Sequence, residues 1–434
     1  MYLVYSFLLT VGFLILLPRF IIDALRHGKY VAGFGERLGG LKPTKDHARP
    51  VIWLHCVSVG ETQAARPLVK GLRQHFSNHS LVVSTTTRTG HKLASELFQK
   101  EADRVFYFPF DWRWTVRRSL KAIRPSAVLI METEIWPRFL RECYMEKIPV
   151  AIVNGRLSPQ SFRRYRWIKG FVSRVLNCLD MAVMQSETDA DRIRALGLDP
   201  ARVFVSGNLK FDAGIITPDG VIATELRERF HLTNESQLIL AASTHAPEET
   251  IVLESFRELR KKLAYKPRLM LAPRHPERFA EVASLLDKSG LSWTSRTKPA
   301  QSTDANCDVI LLDTIGELPA IYSLASVVFV GGSVVKRGGH NILEPAATGT
   351  AIVTGAYTHN FEGIVSEFVQ GGAIIQMPPT PVSDAGIELG NIFGELLNDG
   401  HRRNDLARRA KILVDKNRGA VDRTLNLLES VIPK

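Results

Sequence analysis

The residues Asn341-Ile342-Leu343-Glu344 follow the run Gly331-Gly332-Ser333-Val334-Val335-Lys336-Arg337-Gly338-Gly339-His340, which itself follows an apolar stretch, Ser326 to Val330. Successive glycines let a backbone approach an anion, and the N–H groups at a helix start bind phosphate. Glu344 stands three residues after Asn341, the spacing of a capping box, and is equally suited to holding the two hydroxyls of a ribose. A strand, glycine loop and helix alone fit any nucleotide-binding α/β domain. Three further loops narrow the chemistry. Pro273-Arg274-His275 ends an apolar run, and an Arg there matches phosphate oxygens with its fork. Ile315-Gly316-Glu317 offers backbone to a flat base, and Ser243-Thr244-His245 closes a fourth run.

The first half of the chain carries carboxylates instead. The run Val51–Val57 ends in Ser58-Val59-Gly60-Glu61, and Glu61 opens a helical pattern. One reading makes Glu61 a favourable acid at a helix start. The other makes it a general base, with Gly60 leaving room for a substrate. Glu132 and Glu134 follow the run 126–131 and share one face of a strand end; they are either ion-paired with a nearby Arg or functional. Asp189 and Asp191 fall inside a helix start, where acids are expected anyway. The histidines and the four cysteines lack metal-ligand spacing, and the cysteines read as buried thiols in a reducing compartment. The chain has neither a Gly-x-Ser-x-Gly elbow nor a phosphate loop ending in Gly-Lys-Ser/Thr, which disfavours serine hydrolase chemistry and ATP hydrolysis.

These loops need strands to hold them. Short apolar runs at 51–57, 81–84, 104–108, 126–131, 149–153, 180–185 and 203–206 alternate with helical stretches such as 61–76, 112–123 and 187–196. A second alternation, 237–243, 267–272, 308–312, 326–331 and 350–354, follows a break near 208–222. Continuous apolar strands between helices predict parallel sheets covered on both faces, hence two Rossmann-like α/β domains. A length of 434 residues agrees with two domains. Ligands of such sheets sit beyond the carboxyl ends of the strands. The charged stretch 401–430 reads as a helix long enough to cross back to the first domain.

Hydrophobic content of 45% and charged content of 23% are ordinary, but a net charge of +12 is not, and it suggests a polyanionic partner. Tyr2 to Leu17 is almost wholly apolar, with Pro18, Arg19 and a second apolar patch behind it. This reads as a membrane anchor, against a cleaved signal or a buried helix, and Arg26, His27 and Lys29 behind it predict a cytoplasmic body. Two stretches mix cations with aromatics, Trp112 to Lys121 and Arg163 to Arg174. They suit an anionic bilayer or a solvated charged face.

The runs His55-Cys56-Val57-Ser58-Val59-Gly60-Glu61-Thr62, Met131-Glu132-Thr133-Glu134-Ile135-Trp136-Pro137, Gly207-Asn208-Leu209-Lys210-Phe211-Asp212, Pro273-Arg274-His275-Pro276-Glu277-Arg278-Phe279 and Gly338-Gly339-His340-Asn341 resemble the 3-deoxy-D-manno-octulosonic acid (Kdo) transferases of Gram-negative bacteria. The resemblance spans essentially the whole chain. It implies a GT-B fold, two Rossmann-like domains facing across a cleft, with an N-terminal membrane-anchor helix. The domains would be an anchor over 1–30, an acceptor-binding domain over 31–210, a CMP-Kdo-binding domain over 220–400 and a C-terminal helix over 401–434. The implied reaction is inverting, metal-independent transfer of Kdo from CMP-Kdo to a lipid A precursor (lipid IVA), in lipopolysaccharide core biosynthesis at the cytoplasmic side of the inner membrane. No cofactor and no nucleic-acid partner are implied. Glu61 would be the catalytic base, and Pro273, Arg274, Ile315, Gly316, Glu317, Asn341, Ile342, Leu343 and Glu344 would bind the CMP of the donor. Glu134, Ser58, Gly60, Ser243 and His275 are further candidates. The alternative is another GT-B sugar-nucleotide transferase or an epimerase of the cell envelope.

Overall fold

A computed structural model describes residues 1–27, 33–43, 49–213, 220–233 and 236–433. The chain divides into two compact units, one made of Met1–Ala213 with Asn417–Lys434, the other of Gly214–Lys416. The middle of the expected linker, 214–219, lies outside the described residues. So do Lys29 and the side chains of Arg19, Arg26 and His27 from the expected basic flank.

The first unit is built on a seven-stranded sheet: β1 (Val51–Cys56), β2 (Ser80–Thr85), β3 (Arg104–Tyr107), β4 (Pro125–Met131), β5 (Val150–Gly155), β6 (Met181–Met184) and β7 (Val203–Val205). Every pairing is parallel, in the order β3-β2-β1-β4-β5-β6-β7. Alternate residues of β1 feed opposite faces. Val51 and Trp53 pack with Phe106 and Phe139, while Ile52, Leu54 and Cys56 pack with Leu68 and Leu81. Both faces are therefore core, which is why these strands are unbroken apolar runs.

The second unit repeats the plan with β8 (Leu238–Thr244), β9 (Arg268–Pro273), β10 (Trp293–Ser295), β11 (Val309–Leu311), β12 (Val327–Val330), β13 (Ala351–Thr354) and β14 (Ile375–Gln376). Its order is β10-β11-β9-β8-β12-β13-β14, again all parallel. β10 and β14, three and two residues long, are too short to stand out as apolar runs. In each sheet the order reverses beside the unit's first strand, between β1 and β4 and between β8 and β12. Chains leave these two neighbours in opposite directions, which opens a crevice at their carboxyl ends.

Two elements differ from the sequence expectation. The stretch 401–430 is not one helix but two, Gly400–Asn417 and Ala420–Leu428, broken where Gly419 adopts φ 77°. The second helix buries Ala420, Leu425 and Leu428 against Ala64 and Leu68 of the first unit. Its start is held by Asp212, whose Oδ1 accepts the Gly419 N–H at 2.8 Å and whose Oδ2 accepts the Val421 N–H at 2.7 Å. A carboxylate at a helix start meets the positive end of the helix dipole.

The N-terminal helix, Tyr2–His27, is docked on the first unit rather than standing apart from it. Tyr5 Oη donates to Asp111 Oδ2 at 2.8 Å, Arg138 donates to Ser6 Oγ at 2.7 Å and to the Tyr2 carbonyl at 2.8 Å, and Phe13 packs edge-on against Trp112. Asp111 is buried and also takes the N–H groups of Arg138 and Phe139. Hydropathy alone does not register that Tyr2, Tyr5 and Ser6 have polar partners waiting on the body. Leu3, Val4, Phe7, Leu8, Leu14 and Ile15 are exposed. Among the described residues, no helix is long and apolar enough to cross a membrane.

Asp212→Ala removes both bonds at the start of the Ala420–Leu428 helix. Bonds to a charged acceptor of this kind contribute ~1.5–3 kcal/mol. Amide exchange over 420–428, followed by mass spectrometry, should quicken by roughly ten- to a hundredfold, with the rest of the first unit much less affected.

Candidate active site

β1 delivers its chain directly into the Val59–His75 helix, and Ser58 caps that helix by accepting the Glu61 N–H at 3.3 Å. The Glu61 carboxylate folds back. Its Oε2 accepts the Val57 N–H at 2.7 Å and its Oε1 accepts the Ser58 hydroxyl at 2.9 Å. This is a reciprocal capping arrangement, so the helix-start reading of Glu61 holds structurally. It does not displace the chemical reading. Glu61 is 5% exposed, and burial lifts its pKa to about 7, with the charges of Glu132 and Glu134 adding to the rise. The bond from the Val57 N–H limits the shift. A carboxylate poised near neutrality suits proton abstraction at physiological pH. A Cβ added to Gly60 would meet nothing nearer than Ser58 Oγ at 3.8 Å, so there is free space beside the backbone at Gly60.

Across the order reversal, β4 ends at Met131, and Glu132 follows, taking φ 55° with its N–H donating to the Val153 carbonyl. Burial and the Glu132 charge raise Glu134. The cation near this acidic group is Lys210, with Nζ 3.9 Å from Glu132 Oε1, where the sequence suggested an Arg. Lys210 is positioned by its own loop. Asn208 Oδ1 accepts the Lys210 N–H at 3.1 Å, and Asn154 Oδ1 accepts the Leu209 N–H at 3.0 Å. Sequence reasoning quoted Gly207 to Asp212 as a run but did not single out Lys210. The break in strand–helix rhythm there was the available signal. Asp189, by contrast, accepts the Leu157 N–H and the Ser186 hydroxyl at its helix start, a structural role.

In the second unit, β8 closes with Ser243, at φ 56°, and Thr244, and His245 follows. β9 ends at Pro273, and Arg274 follows, exposed, its N–H bound to the Thr244 carbonyl. His275 is exposed beside it, edge-on to His245 with ring centroids 5.2 Å apart. The loop after β11 turns at Gly316, φ 91°, leaves Ile315 66% exposed, and presents Glu317 held by Arg296 at 3.0 Å and by the Thr314 hydroxyl at 2.7 Å. After β12, Asn341 Nδ2 donates to Glu344 Oε1 at 3.1 Å, and Asn341 Oδ1 accepts the Leu343 N–H at 3.0 Å. Tyr322, fully buried, donates to Glu344 as well. Arg274 acts electrostatically on Tyr322, Glu344 and His340, so Arg274 and Glu344 belong to one neighbourhood. Ile342 and Leu343 are buried side chains and have only backbone to offer a ligand.

The glycine loop works differently from the sequence expectation. The N–H groups of Gly332, Ser333 and Val334 do converge on an anion, but it is Glu248, at 2.7, 2.9 and 2.9 Å, and His245 N–H joins them at 3.0 Å. Gly339 N–H goes to the Gly332 carbonyl. The helix after Asn341, Leu343–Ala347, has five residues and so a weak dipole. A phosphate in this crevice would therefore lean on side chains, Arg274 foremost, more than on the helix start. Glu248 was not singled out from sequence, because only the fold brings it 84 residues along the chain to Gly332.

The family model described as 3-deoxy-D-manno-octulosonic-acid transferase (kdotransferase) matches residues 32–213. The 3-deoxy-D-manno-octulosonic acid transferase of Haemophilus influenzae is 34% identical over 387 residues, which covers 88% of this chain and 87% of that protein. The chain belongs to the Kdo transferase family. It is accordingly a glycosyltransferase. The Kdo transferase of Bordetella pertussis is 32% identical over 92% of this chain and 90% of its own. Among solved structures, the UDP-GlcNAc 2-epimerase of Neisseria meningitidis, crystallised with UDP-GlcNAc, covers 88% of this chain and 100% of its own at a TM-score of 0.52. At 14% identity that likeness concerns the fold, two parallel-sheet α/β domains of GT-B-like type.

The pKa of about 7 at Glu61 makes its role as a base testable by pH. Glu61 accepts a proton only when ionised, so turnover should rise with pH through about 7 and level off above it. Glu61→Gln keeps the shape and removes the base, so turnover should fall by roughly a hundredfold or more with nucleotide affinity retained. Steady-state rates between pH 5.5 and 8.5 check both.

Proposed function

We propose that the protein transfers Kdo from CMP-Kdo to a lipid A precursor, lipid IVA, with inversion and without a bound metal, in lipopolysaccharide core biosynthesis. The observation that carries this reading is the Glu61 carboxylate, buried at the β1/β4 crevice, bonded to Val57 and Ser58, and raised to about 7. An acceptor hydroxyl gives its proton to Glu61 as its oxygen bonds to the ketose anomeric carbon. The bond from that carbon to the phosphate oxygen breaks, and CMP departs with the electron pair. Inversion requires base and leaving group on opposite sides of the reacting carbon; Glu61 belongs to the first unit and the proposed CMP-binding residues to the second. Charge developing on the CMP phosphate would be stabilised by Arg274. Glu132 and Glu134 supply negative charge where an oxocarbenium-like centre forms, and Lys210 tempers it. In the CMP site Glu344, oriented by Asn341 and Tyr322, would hold the ribose, and the backbone around Ile315 and Gly316 would hold the base. The donor and the lipid acceptor are the two substrates of this mechanism.

The membrane part of the reading rests on the N-terminal helix. One face is bonded to the body, while Leu3, Val4, Phe7, Leu8 and Ile15 are exposed, and Trp114, Trp167 and Ile168 are exposed on the same unit. Such a helix would lie in the interface plane of the inner membrane on its cytoplasmic side, with the surrounding Lys and Arg facing anionic headgroups.

Incubation with CMP-Kdo, ADP-sugars or UDP-sugars and lipid IVA, with mass spectrometry of the products, tests the activity. Kdo addition from CMP-Kdo alone is expected; turnover of a UDP-sugar without acceptor would make the protein an epimerase. Arg274→Ala should weaken CMP binding by roughly ten- to a hundredfold, the loss of a charge-assisted phosphate contact of ~1.5–3 kcal/mol. Calorimetry reads it, and unchanged affinity would move the phosphate elsewhere. Replacing Leu3, Phe7 and Leu8 by Ser should cut sedimentation with anionic vesicles by about tenfold or more while leaving CMP affinity intact.

A further inference from the structure

His245, after β8, and His340, in the glycine loop after β12, meet Nε2 to Nε2 at 2.9 Å with ring planes 7° apart. A hydrogen bond between two imidazole nitrogens needs a proton on one and a lone pair on the other. The accepting ring therefore carries its proton on Nδ1 and is neutral. The contact is built into the fold. Gly332 takes φ 67°, and a Cβ there would come within 3.0 Å of His340 Nε2, so the loop must be glycine to admit that ring. Glu248 fixes the same loop to the His245 backbone through four N–H groups.

The charged groups facing the pair are mostly cationic. Arg274, His275 and Arg278 come from the segment after β9, and Arg337 comes from the glycine loop. The helix after β8 contributes Glu248, whose oxygens are taken by the four N–H groups, and Glu249, held by Arg278 at 2.5 Å. Burial and these neighbours hold His340 down to about 4 and lower His245 also. A second proton on the facing nitrogens would set two N–H groups against each other. It can enter only if the contact opens and a new acceptor arrives.

We propose that His245 and His340 form part of the donor's anion site, which takes up one proton from solvent when the phosphate of CMP-Kdo or CMP binds. The incoming phosphate oxygens replace the lone pair that His245 and His340 share, so both rings become N–H donors to the ligand. This rests on the reading that the donor binds at these strand ends. The sign of the linkage follows. Ligand binding raises the pKa of the pair above its free value, so affinity is greatest below the free value, falls as pH rises through the bound value, and is flat beyond it. Donor affinity and ionisation of Glu61 then pull in opposite directions around neutrality, which narrows the pH range of efficient transfer from both sides.

Calorimetry of CMP binding to the full chain at pH 6.5, in buffers of differing ionisation enthalpy, counts the protons. The second ionisation of CMP, near pH 6, is common to all variants, so the difference between wild type and variant isolates the pair. Wild type should take up about half a proton or more beyond His340→Gln or His245→Gln, and its CMP affinity should weaken by roughly three- to tenfold from pH 6.5 to 7.5, with little change in either variant. Nitrogen-15 shifts of the His245 and His340 rings in wild type should move from neutral towards imidazolium values on adding CMP. That measurement stands even where a variant fails to fold. CMP binding to wild type with ring shifts unchanged, or with proton counts equal to those of a folded variant, overturns the inference alone. Failure of CMP to bind wild type overturns the donor-site reading beneath it.

Discussion

A parallel strand covered by helices on both faces has only its ends for polar chemistry. Both sheets of this protein are of that kind: the side chains along β1 are buried on either side, and those along β12 are buried throughout. Reactive groups must therefore collect where strands stop, and they collect most where strand order reverses. Glu61 and Glu132 flank one reversal, between β1 and β4. His245 and the glycine loop flank the other, between β8 and β12. The sites of the two units are in this sense consequences of one topological rule applied twice.

Crowding at those ends is visible in the backbone. Glu132, Asn154 and Ser243 each follow or close a strand at φ near 55°, a region that non-glycine residues seldom enter. Strain of this kind persists where neighbours over-determine the conformation. Here Asn154 binds the Leu209 N–H and so helps set the Lys210 loop, while Ser243 starts the turn that ends at His245 and Glu248. Buried charge is handled in the same economical way. Glu248 is surrounded by backbone N–H groups, and Asp111 by two N–H groups and a phenol. Glu61 receives one N–H and one hydroxyl beside two other carboxylates, and burial with those charges lifts its pKa to about 7.

The docked N-terminal helix shows how one segment serves two environments. Its polar side chains bind Asp111 and Arg138, while its apolar side chains are left outward. Thirteen of the sixteen residues from Tyr2 to Leu17 being apolar, Tyr included, made the segment look uniform in sequence. The division appears only once a partner surface is present.

The amino-acid sequence by itself determined the class of fold. Apolar runs such as Val51–Val57 and 326–331, each ended by a polar or glycine turn, dictate buried parallel strands, because period and length are local properties of the chain. It also marked Glu61 and Arg274, since the polar loop that follows such a run lies at a strand end. The tertiary structure decided the rest. That Lys210 answers Glu132, that Glu248 fills the nest of the glycine loop, that Tyr322 orients Glu344, and that His245 meets His340 are all contacts between residues 22 to 95 positions apart. Hydrogen bonds and ion pairs act over a few ångströms of space regardless of distance along the chain, so no local pattern announces them. The break at Gly419 belongs with these: its left-handed turn is fixed by Asp212, a residue more than two hundred positions earlier.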